Sequence, residues 1–513
     1  MNLVEHVRQI ANNTPEKIAY HYVGQDTTYA EFERKISTLA NSLNAIGIRR
    51  GDHVAFLLGN SPEFLISLYA CMRIGAVAVP VNPIYQLDEI TYIFQNGDVT
   101  AVIALDSLLP LLAEGKIHFP EVKQYIVCKT ENGSTDTYNR IIQEFEGSIY
   151  HFSKLLTDVN SHFTPSKMKD DDTAIILYTS GTTGHPKGAE LSHQNLYANA
   201  RDVASFMGYT GEDRVIATLP LFHVFALTVV ANAPLFVGAS ILIAPRFSPK
   251  EIFDLAKNQN ASIFAGVPTM YSFLYQYEEG NSVDFSTIRL AISGGAPLPA
   301  QVLYNFEGKF NVPISEGYGL SEASPVSCFN PQDRIRKVGS IGTAISNVEV
   351  KIVDDTGNEL PSHEIGELVV RGPNVMKGYY KNPEETQKAI RNGWLFTGDL
   401  AKKDEEDYFY IVDRKKDMII VGGYKVFPRE VEEVLHQHPL VVEAVVVGIP
   451  DEDFGEKVCA FVVLNDQSSN AEELLNYCKL HLAKYKVPKE IRFVDRLPKN
   501  STGKIVRRNL ITK

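Results

Sequence analysis

The sequence predicts an α/β protein with a large N-terminal domain of parallel αβ sheets, a β-rich subdomain, and a small α+β C-terminal domain. Three observations predict this arrangement. Buried strands alternate with amphipathic helices along the first part of the chain, short strands separated by Gly and Pro begin after about residue 335, and a charged segment precedes the last 100 or so residues. Alternating strands and helices are typical of parallel sheets, whose functional loops lie at the strand ends.

Length and composition exclude several classes of protein. With 513 residues, of which 44% are hydrophobic and 22% charged, the chain is long enough for two or more domains with sizeable cores. The net charge of -12 argues against bulk nucleic-acid binding, which depends on clustered Lys and Arg. Ten Lys or Arg over 484–513 form a basic tail, which either meets small anions or only keeps the chain soluble.

Cysteine usage and the N-terminus predict the compartment. The five cysteines are odd in number and widely spaced, with no C-x-x-C pair for zinc or redox chemistry. Charges run through the first residues, so no apolar core of signal-peptide length is present. We therefore expect a cytoplasmic protein, and the sequence is compatible with a homodimer and with peripheral contact with a membrane.

The first elements have clear sequence boundaries. Residues 53–58 (HVAFLL) are a predicted strand, and the Ser-Pro-Glu run at 61–63 gives an N-cap, a proline at the first helical position and an early acid. The helix that follows reaches Ile74 and stops at Gly75, and AVAVPVN is the next strand. The alternation returns in EIFDLAKNQN followed by ASIFAGV, and again in TIRLAISGG.

Residues 215–245 contain no Asp, Glu, Lys or Arg over 31 positions, which exceeds the length needed to span a bilayer. Pro220, Pro234 and Gly238 divide this segment into a helix-sized piece and the strand ASILIA. We therefore interpret it as buried core or as the wall of an apolar substrate channel, with no membrane span.

The domain boundaries are predicted from a change in composition. The strands VEVKIVD, ELVVRG and YFYIVD form the β-rich subdomain, and the charged runs at 402–407 and 413–417 flank the last of them. We expect a large domain over 1–412 with the nucleotide and acyl pockets, a hinge at 413–417, and a C-terminal domain over 418–513.

Residues 178–188 (YTSGTTGHPKG) have the composition of a phosphate-binding loop that follows directly on a strand. The glycines let backbone N–H groups turn inward, the hydroxyls add donors, and Lys187 adds a mobile positive charge. A Walker A loop is excluded, because Lys187 follows Pro186 and precedes Gly188.

A second candidate segment is EGYGLSEASP at 316–325, predicted to be a loop after the short strand VPIS. Tyr318 offers a flat face on which a base can stack, Ser321 a donor to phosphate, and Glu322 a hard oxygen ligand for magnesium. By itself the segment is better explained as a turn with an exposed acid.

Three later segments add further polar groups. Asp399, after a Thr-Gly turn, can accept both hydrogen bonds of a ribose diol, and Arg414 can contact ribose or phosphate. Gly422 and Gly423 permit a close backbone approach, and Lys504 sits in a Ser-Thr-Gly turn of the basic tail. Taken singly, an ordinary turn and a solvated lysine explain these segments as well.

In this order, the five segments resemble the motifs of the adenylate-forming enzymes: acyl-CoA synthetases, firefly-type luciferases and the adenylation domains of peptide synthetases. The resemblance covers essentially the whole chain and is greatest to fatty-acyl-CoA ligases. It implies that a carboxylate attacks the α-phosphate of ATP, releases pyrophosphate, and passes as acyl-AMP to the thiol of coenzyme A. ATP, Mg²⁺ and coenzyme A are the implied cofactors, and the implied partners are small molecules with no nucleic acid.

The resemblance also implies a role for each motif residue. Lys504 matches the lysine that bridges the carboxylate and the α-phosphate, and His223 matches a gate beside the acyl carboxylate, although a core histidine is the alternative. With Glu322 these are the expected catalytic residues, and Glu322 and Thr182 are the expected magnesium ligands. Gly294, Gly295 and Ala296 match the wall between the adenine and acyl pockets. Contacts to ATP or AMP are implied for Thr179, Ser180, Gly181, Thr182, Thr183, Gly184, Lys187, Gly295, Ala296, Glu316, Gly317, Tyr318, Ser321, Asp399 and Arg414.

In the family a small, mobile C-terminal domain rotates after adenylation. Lys416 matches the hinge position, and Gly422 and Gly423 match the tunnel for the coenzyme A thiol. Two positions depart from the family pattern: Ser321 replaces the commoner threonine but keeps the hydroxyl, and Asp407 replaces a turn glycine, which Asp tolerates better than most residues.

The acid that reacts is predicted from the lining of the acyl pocket. Between His223 and Ser293 the segments VFALTVVANAPLF and FAGVPTMYSFL hold no acid or base, so a second charge on the substrate would stay unpaired. A fatty acid of medium to long chain is favoured, and an aromatic acid of the coumarate or benzoate type is the alternative. From other classes, a luciferase-like oxygenase and a P-loop ATPase or kinase remain, the latter distinguished by release of ADP.

Overall fold

The fold is known from a computed structural model, which describes residues 2–129, 145, 148–157, 168–179, 186–465, 470–499 and 505–511. Within these residues the strands form four sheets, of eight, nine, five and five strands. The two larger sheets lie in the N-terminal part of the chain, as the α/β prediction requires.

The strands, numbered in chain order, are β1 Ile18–Tyr22, β2 Gln25–Thr28, β3 His53–Leu57, β4 Val77–Pro80, β5 Val99–Leu105, β6 Gln124–Cys128, β7 Ile149–His151, β8 Thr173–Thr179, β9 Lys187–Ser192, β10 Arg214–Ala217, β11 Ser240–Ile243, β12 Ile263–Gly266, β13 Leu290–Ser293, β14 Ile314–Gly319, β15 Val326–Phe329, β16 Thr343–Ala344, β17 Glu349–Val353, β18 Gly366–Arg371, β19 Gly378–Tyr379, β20 Ile390–Arg391, β21 Trp394–Lys403, β22 Phe409–Arg414, β23 Ile419–Val421, β24 Tyr424–Val426, β25 Val441–Asp451, β26 Gly455–Leu464 and β27 Glu490–Phe493.

The α-helices are α1 Leu3–Asn13, α2 Tyr29–Ala45, α3 Pro62–Ile74, α4 Leu87–Asn96, α5 Leu109–Gly115, α6 Phe152–Leu155, α7 His193–Phe206, α8 Val224–Ala226, α9 Ala233–Val237, α10 Pro249–Gln259, α11 Pro268–Gln276, α12 Ala300–Phe310, α13 Pro383–Ala389, α14 Pro428–His436, α15 Ala471–His481 and α16 Arg508–Ile511. Among the described residues, 3₁₀ turns cover Asp106–Leu108 and Ser321–Ala323, and a π-helical turn covers Leu227–Asn232.

The eight-stranded sheet has the order β19-β9-β8-β4-β3-β5-β6-β7. Its strands from β8 to β7 pair in parallel, whereas β9 returns antiparallel to β8 and β19 is antiparallel to β9. The nine-stranded sheet has the order β16-β15-β14-β13-β12-β10-β11-β1-β2, parallel from β14 to β1 and antiparallel at both edges. The parallel centres confirm the predicted class, and the antiparallel additions carry much of the candidate site.

The β-rich subdomain is an antiparallel sheet of β17, β18, β21, β20 and β22. The C-terminal sheet contains β24, β23, β26, β25 and β27, and its helices α14 and α15 pack on one apolar cluster with it. Residues 415–418 connect β22 of the β-rich subdomain to β23 of the C-terminal sheet. This connection overlaps the predicted hinge. The boundaries 1–412, 413–417 and 418–513 remain predictions.

The uncharged segment 215–245 is part of the core. It comprises β10, α8, the π-helical turn, α9 and β11, and residues from Val224 to Leu235 are buried. No helix among the described residues combines the length and the apolar character needed to cross a membrane.

Four local predictions can be compared with the structure. The helix predicted from Pro62 to Ile74 is confirmed, with Gly75 in the left-handed region at a φ of 79°. Ser61 is the N-cap residue, as predicted, although its side chain makes no capping hydrogen bond. Asp407 has a φ of 60°, so the turn keeps the geometry that glycine would give.

Two segments predicted as a loop and a turn are strands instead. Glu316 lies in β14 opposite Ser293 of β13, and Gly317 and Tyr318 extend the same strand because they pair with Phe329 and Cys328 of β15. Asp399 lies inside β21, where the pairing with β18 and β22 shifts register and Gly398 has a φ of 74°. The sequence near Asp399 therefore produces an irregularity in a long strand and not a reversal of the chain.

Candidate active site

The predicted phosphate loop lies between two antiparallel strands. β8 ends at Thr179 and β9 begins at Lys187, and these two residues are paired in the sheet. The Tyr92 hydroxyl donates a hydrogen bond to the Pro186 carbonyl, 3.1 Å away, at the exit of the loop. The candidate residues Ser180, Gly181, Thr182, Thr183 and Gly184 lie outside the described residues. Because a strand and not a helix follows the loop, its architecture differs from a Walker A loop, as predicted.

Lys187 is held by its surroundings and is not the freely mobile charge that the sequence suggested. Its ammonium lies 2.6 Å from Glu385 Oε2 and 4.7 Å from the centre of the Tyr379 ring. Hydrogen bonds from Lys187 and Lys388 lower the pKa of the Glu385 carboxyl to about 2. Only 16% of the Lys187 side chain is exposed, so the cation occupies a defined place beside the loop.

Glu322, the predicted magnesium ligand, lies close to the same tyrosine. It belongs to the 3₁₀ turn Ser321–Ala323, which follows β14 directly. The Tyr379 hydroxyl donates to Glu322 Oε1 at 2.7 Å. The pKa of Tyr379 is raised, mainly because the side chain is buried and to a smaller extent because the Glu322 carboxylate is negatively charged. Tyr379 thus brings the predicted phosphate cation and the predicted metal ligand to one place.

The donor set at this place fits magnesium bound to a triphosphate. Among the described residues, no group of three or more His, Cys, Asp or Glu side chains gathers to hold a metal ion. Mg²⁺ commonly takes one or two carboxylates and completes its coordination with substrate phosphates and water. Glu322 would supply the carboxylate, and Lys187 would lie beside the phosphates.

The predicted adenine contacts, Glu316, Gly317 and Tyr318, lie in one strand, β14. Glu316 is buried in β14 and accepts a hydrogen bond from the Leu298 N–H at 3.1 Å. Burial raises the pKa of its carboxyl to about 7. Gly317 is tightly packed, since a Cβ there would lie 2.0 Å from the Phe329 ring.

The predicted ribose contacts form one connected group. Asp399 is buried, and it faces Arg414 across the β21–β22 pair with an Arg414 Nε to Asp399 Oδ1 distance of 3.2 Å. The Tyr318 hydroxyl donates to the other carboxylate oxygen at 2.5 Å. Each carboxylate oxygen can accept a second hydrogen bond, so this arrangement still leaves capacity for a ribose diol.

The acyl side is built from apolar groups beside the same strands. His223 precedes α8, and its Nδ1 accepts a hydrogen bond from the Phe225 N–H at 3.3 Å. The Phe225 ring lies against Gly294, where a Cβ would be only 3.0 Å from the ring. Gly295 has a φ of 79°, and Ala296 follows it between β13 and α12. The structure therefore brings His223, Phe225 and Gly294, the residue after β13, to one region.

The remaining candidates belong to the C-terminal part. Lys416 lies in the connection between β22 and β23, as expected for a hinge residue. Gly422 and Gly423 form the β23–β24 turn with φ of 54° and 86°, and the Gly422 N–H donates to the Phe454 carbonyl of the same sheet at 2.9 Å. Lys504 lies outside the described residues. The site thus divides into a connected nucleotide part and a turn within the C-terminal sheet.

The sequence analysis missed Tyr379 and Glu385. Both lie in GYYKNPEET, where Asn382 caps α13 by accepting from the Glu385 N–H. The Asn-Pro-Glu-Glu run is a helix start by ordinary rules, and nothing in it indicates a pairing with Lys187, about 200 residues earlier. Only the pairing of β19 with β9 reveals that connection.

Comparison with known proteins agrees with this geometry. The model of the AMP-binding enzyme family matches residues 7–380, and that of the AMP-binding enzyme C-terminal domain matches residues 430–504. The chain belongs to the AMP-binding enzymes. It is an AMP-forming acid–thiol ligase, a class that uses ATP, Mg²⁺ and coenzyme A.

Three similar proteins illustrate the range of the family. The chain is 37% identical to a long-chain-fatty-acid–CoA ligase of Bacillus subtilis strain 168, over 97% of this chain and 92% of the relative. It superposes on ATP-bound MatB from Rhodopseudomonas palustris with a TM-score of 0.91 and 34% identity, covering 100% and 99% of the two chains. It also superposes on the anthranilate CoA ligase AuaEII in complex with anthranoyl-AMP, with a TM-score of 0.91, 28% identity, and coverage of 100% and 97%.

Proposed function

We propose that this enzyme activates a fatty acid of medium to long chain to acyl-AMP, with release of pyrophosphate, and then transfers the acyl group to coenzyme A. The choice of acid rests on the residues that line the acyl side of the site. The segment from Val224 to Leu235 beside His223 is buried and has no ionisable side chain. The B. subtilis relative, a long-chain-fatty-acid–CoA ligase by name, supports the same choice.

An apolar wall favours an apolar tail for a physical reason. Each methylene that leaves water contributes about 0.8 kcal/mol, whereas a second carboxylate or an amine would be buried without a partner. Such a wall selects for apolar length in general and discriminates weakly between neighbouring chain lengths. The proposal therefore covers a range of fatty acids and no single one.

The polar residues of the site would account for the reaction. A substrate carboxylate oxygen attacks the α-phosphorus of ATP, and the bond to the bridging oxygen breaks as pyrophosphate leaves with the electron pair. Lys187 would bind the β and γ phosphates, Glu322 would hold Mg²⁺, which supplies charge neutralisation, and Asp399 with Arg414 would fix the ribose. Lys504 would bridge the carboxylate and the α-phosphate. The contribution of these groups is positioning and charge stabilisation.

In the second half-reaction the coenzyme A thiolate attacks the acyl carbonyl, and AMP leaves. We propose that Gly422 and Gly423 border the path of the thiol and that Lys416 is the hinge for the movement of the C-terminal domain. The left-handed backbone of Gly422 and Gly423 supports their place beside the thiol path, because glycine lets the chain approach a ligand closely. A cytoplasmic location and a homodimer belong to the same proposal, the location resting on cysteine usage.

An aromatic-acid CoA ligase is the second candidate. The likeness to the anthranilate CoA ligase supports it, since that enzyme was solved with anthranoyl-AMP and its fold agrees with this one over the full chain. A flat acid would lie against the Phe225 ring, which packs against Gly294. The two candidates differ in which acid is turned over fastest.

The experiment is ATP–pyrophosphate exchange with Mg²⁺ across a panel of acids from butyrate to stearate, together with cinnamates and benzoates. We expect exchange to rise with aliphatic chain length and the products to be AMP and pyrophosphate. Fastest exchange with a cinnamate or benzoate would favour the second candidate. Formation of ADP would contradict the adenylate mechanism, and light emission with a luciferin would indicate the oxygenase.

The Lys504→Ala variant separates the two half-reactions. We expect it to lose most acyl-AMP formation while it keeps most thioester formation from supplied acyl-AMP. Lys499→Ala is the matched control, because Lys499 belongs to the same basic tail but pairs with Glu443. An equal loss of both half-reactions in Lys504→Ala would contradict the role given to Lys504.

A further inference from the structure

In the chain, the segment from Gly378 to Ala389 lies between β18 and β20 of the β-rich subdomain, yet it is bound to β9, the strand that follows the phosphate loop. β19 pairs antiparallel with β9, with Tyr379 opposite Ala189, and the Tyr380 N–H donates to the Gly188 carbonyl at 2.8 Å. Asp98 fixes the same segment to β5 and its neighbours by accepting from the Tyr380 hydroxyl at 2.8 Å. The side chains of this segment therefore have defined positions beside Lys187.

The Glu385 carboxylate is held on several sides. Its Oε2 lies 2.6 Å from the Lys187 ammonium, and its Oε1 lies 2.7 Å from the Lys388 ammonium. Its backbone N–H donates to Asn382 Oδ1 at 3.1 Å. A carboxylate with both oxygens occupied and its backbone capped cannot easily follow Lys187 elsewhere, so it fixes where that cation lies.

Tyr379 joins this pair to the metal ligand. Its hydroxyl donates to Glu322 at 2.7 Å, and its ring face lies 4.7 Å from the Lys187 ammonium. Its own N–H donates to the Thr386 hydroxyl at 2.8 Å, which fixes the tyrosine relative to α13. One short segment thus carries a contact to Lys187 on one side and to Glu322 on the other.

We propose that Glu385 is a positioning residue for the triphosphate: it holds Lys187 over the Tyr379 ring, so that this cation and Glu322 bind the same phosphate chain. This inference rests on the proposed function, in which Lys187 contacts the β and γ phosphates. The ligand that it concerns is a nucleoside triphosphate, because AMP has no phosphate in that position.

The opposite role, in which Glu385 competes with the phosphates for Lys187, agrees less well with the contacts. An ammonium has three N–H donors, so one bond to Glu385 leaves two for phosphate oxygens. Lys388 shares the same carboxylate, so the group of two lysines and one glutamate retains a positive charge towards an anion. A lysine side chain also loses much rotamer freedom when it is fixed, and Glu385 fixes it before the nucleotide arrives.

The test is equilibrium binding of ATP and of AMP, each with Mg²⁺, to Glu385→Gln. We expect the Kd for ATP to rise about 5- to 10-fold and the Kd for AMP to stay within about 2-fold. Glu384→Gln is the matched control, because the neighbouring Glu384 is exposed and its change removes the same charge from the same helix. That variant should bind both nucleotides like the unaltered enzyme.

Two further variants separate the possible failures. Lys187→Gln should weaken ATP but not AMP, and the double variant Lys187→Gln with Glu385→Gln should be no weaker for ATP than Lys187→Gln alone. If Lys187→Gln leaves the ratio of ATP to AMP affinity unchanged, the proposed site of the phosphates is wrong. If Lys187→Gln changes that ratio but Glu385→Gln does not, or if Glu385→Gln binds ATP more tightly, the positioning role is wrong. Equal weakening of ATP and AMP by Glu385→Gln, with a lower melting temperature, would indicate a purely structural role and would overturn the proposal.

Discussion

The nucleotide side and the acyl side of the candidate site are held together by different forces. On the nucleotide side, Asp399 contacts both Tyr318 and Arg414 through its carboxylate oxygens. Tyr379 contacts Glu322 through its hydroxyl and Lys187 through its ring face. On the acyl side, Phe225 and the segment that follows it pack through apolar surface. A buried polar group that loses its hydrogen-bond partner costs about 1 to 3 kcal/mol, whereas each methylene gained or lost in an apolar contact changes the free energy by only about 0.8 kcal/mol. We therefore expect strict recognition of the nucleotide and tolerant recognition of the acid.

The largest effect is expected from Asp399→Ala on the nucleotide side. The change removes the acceptor of the Tyr318 hydroxyl and leaves Arg414 without its carboxylate. A hydrogen bond to a charged group contributes about 1.5 to 3 kcal/mol, and in the proposed function Asp399 accepts from the ribose diol, so we expect kcat/KM for ATP to fall roughly 100-fold. Pyrophosphate exchange measures it, with the exposed Asp333→Ala as control; a change below about 5-fold would contradict strict recognition.

The next largest effect is expected from Glu322→Gln. The amide oxygen can still accept from the Tyr379 hydroxyl, so the fold should be kept, but the negative charge for Mg²⁺ is lost. We expect the Mg²⁺ concentration for half-maximal exchange to rise about 10-fold or more. An unchanged magnesium requirement at a reduced rate would assign Glu322 to another task.

A smaller effect is expected from Phe225→Leu on the acyl side. The smaller side chain leaves space beside Gly294, where the ring now lies in close contact. We expect the KM values of individual acids to change by about 3- to 10-fold and the preferred acid to become bulkier, with the KM for ATP unchanged. A change in the KM for ATP as large as that for the acid would show that the two sides are not independent.

The smallest effect is expected from Glu316→Gln, and it depends on pH. Burial raises the pKa of the Glu316 carboxyl from 4.5 to about 7, while Arg429 lowers it and Glu433 raises it. Between about pH 4.5 and 7 the unfolded chain releases this proton and the folded chain keeps it, so stability falls as pH rises through that window. The glutamine variant has no proton to release, so its stability does not fall over this window. It should therefore melt a few degrees higher than the parent at about pH 8, but not at about pH 4.5. A constant difference across this range would show that Glu316 is ionised in the folded protein.

Much of the fold could be predicted from the sequence, because it depends on local patterns. The helix from Pro62 to Ile74 has its proline, its acid and its terminal glycine within the segment itself, and the structure has these bounds. The uncharged segment at 215–245 was predicted as core from its internal Pro and Gly, and it is buried. The membership in the AMP-binding family was likewise predicted from motif order and is confirmed.

The predictions that failed depend on partners distant in sequence. Tyr318 was expected in a loop, but β15 pairs with its strand and extends it. Lys187 was expected to be mobile, but Glu385 reaches it only because β19 joins the sheet edge at β9. Neither pairing leaves a mark in the short segment that contains the residue. The catalytic roles, including that of Lys504, and the domain boundaries remain predictions.

The strand Gly378–Tyr379 covers the outer edge of β9 even though it lies almost two hundred residues later in the chain. A fragment that stops before Gly378 would expose the unpaired backbone of β9, and exposed strand edges recruit other strands. Such a fragment should aggregate on its own and recover when the missing C-terminal piece is co-expressed. For anyone dividing this enzyme into a split reporter, the cut therefore belongs after β22, which ends at Arg414, because a cut between Ala389 and β21 would leave the edge of β18 unpaired in the same way.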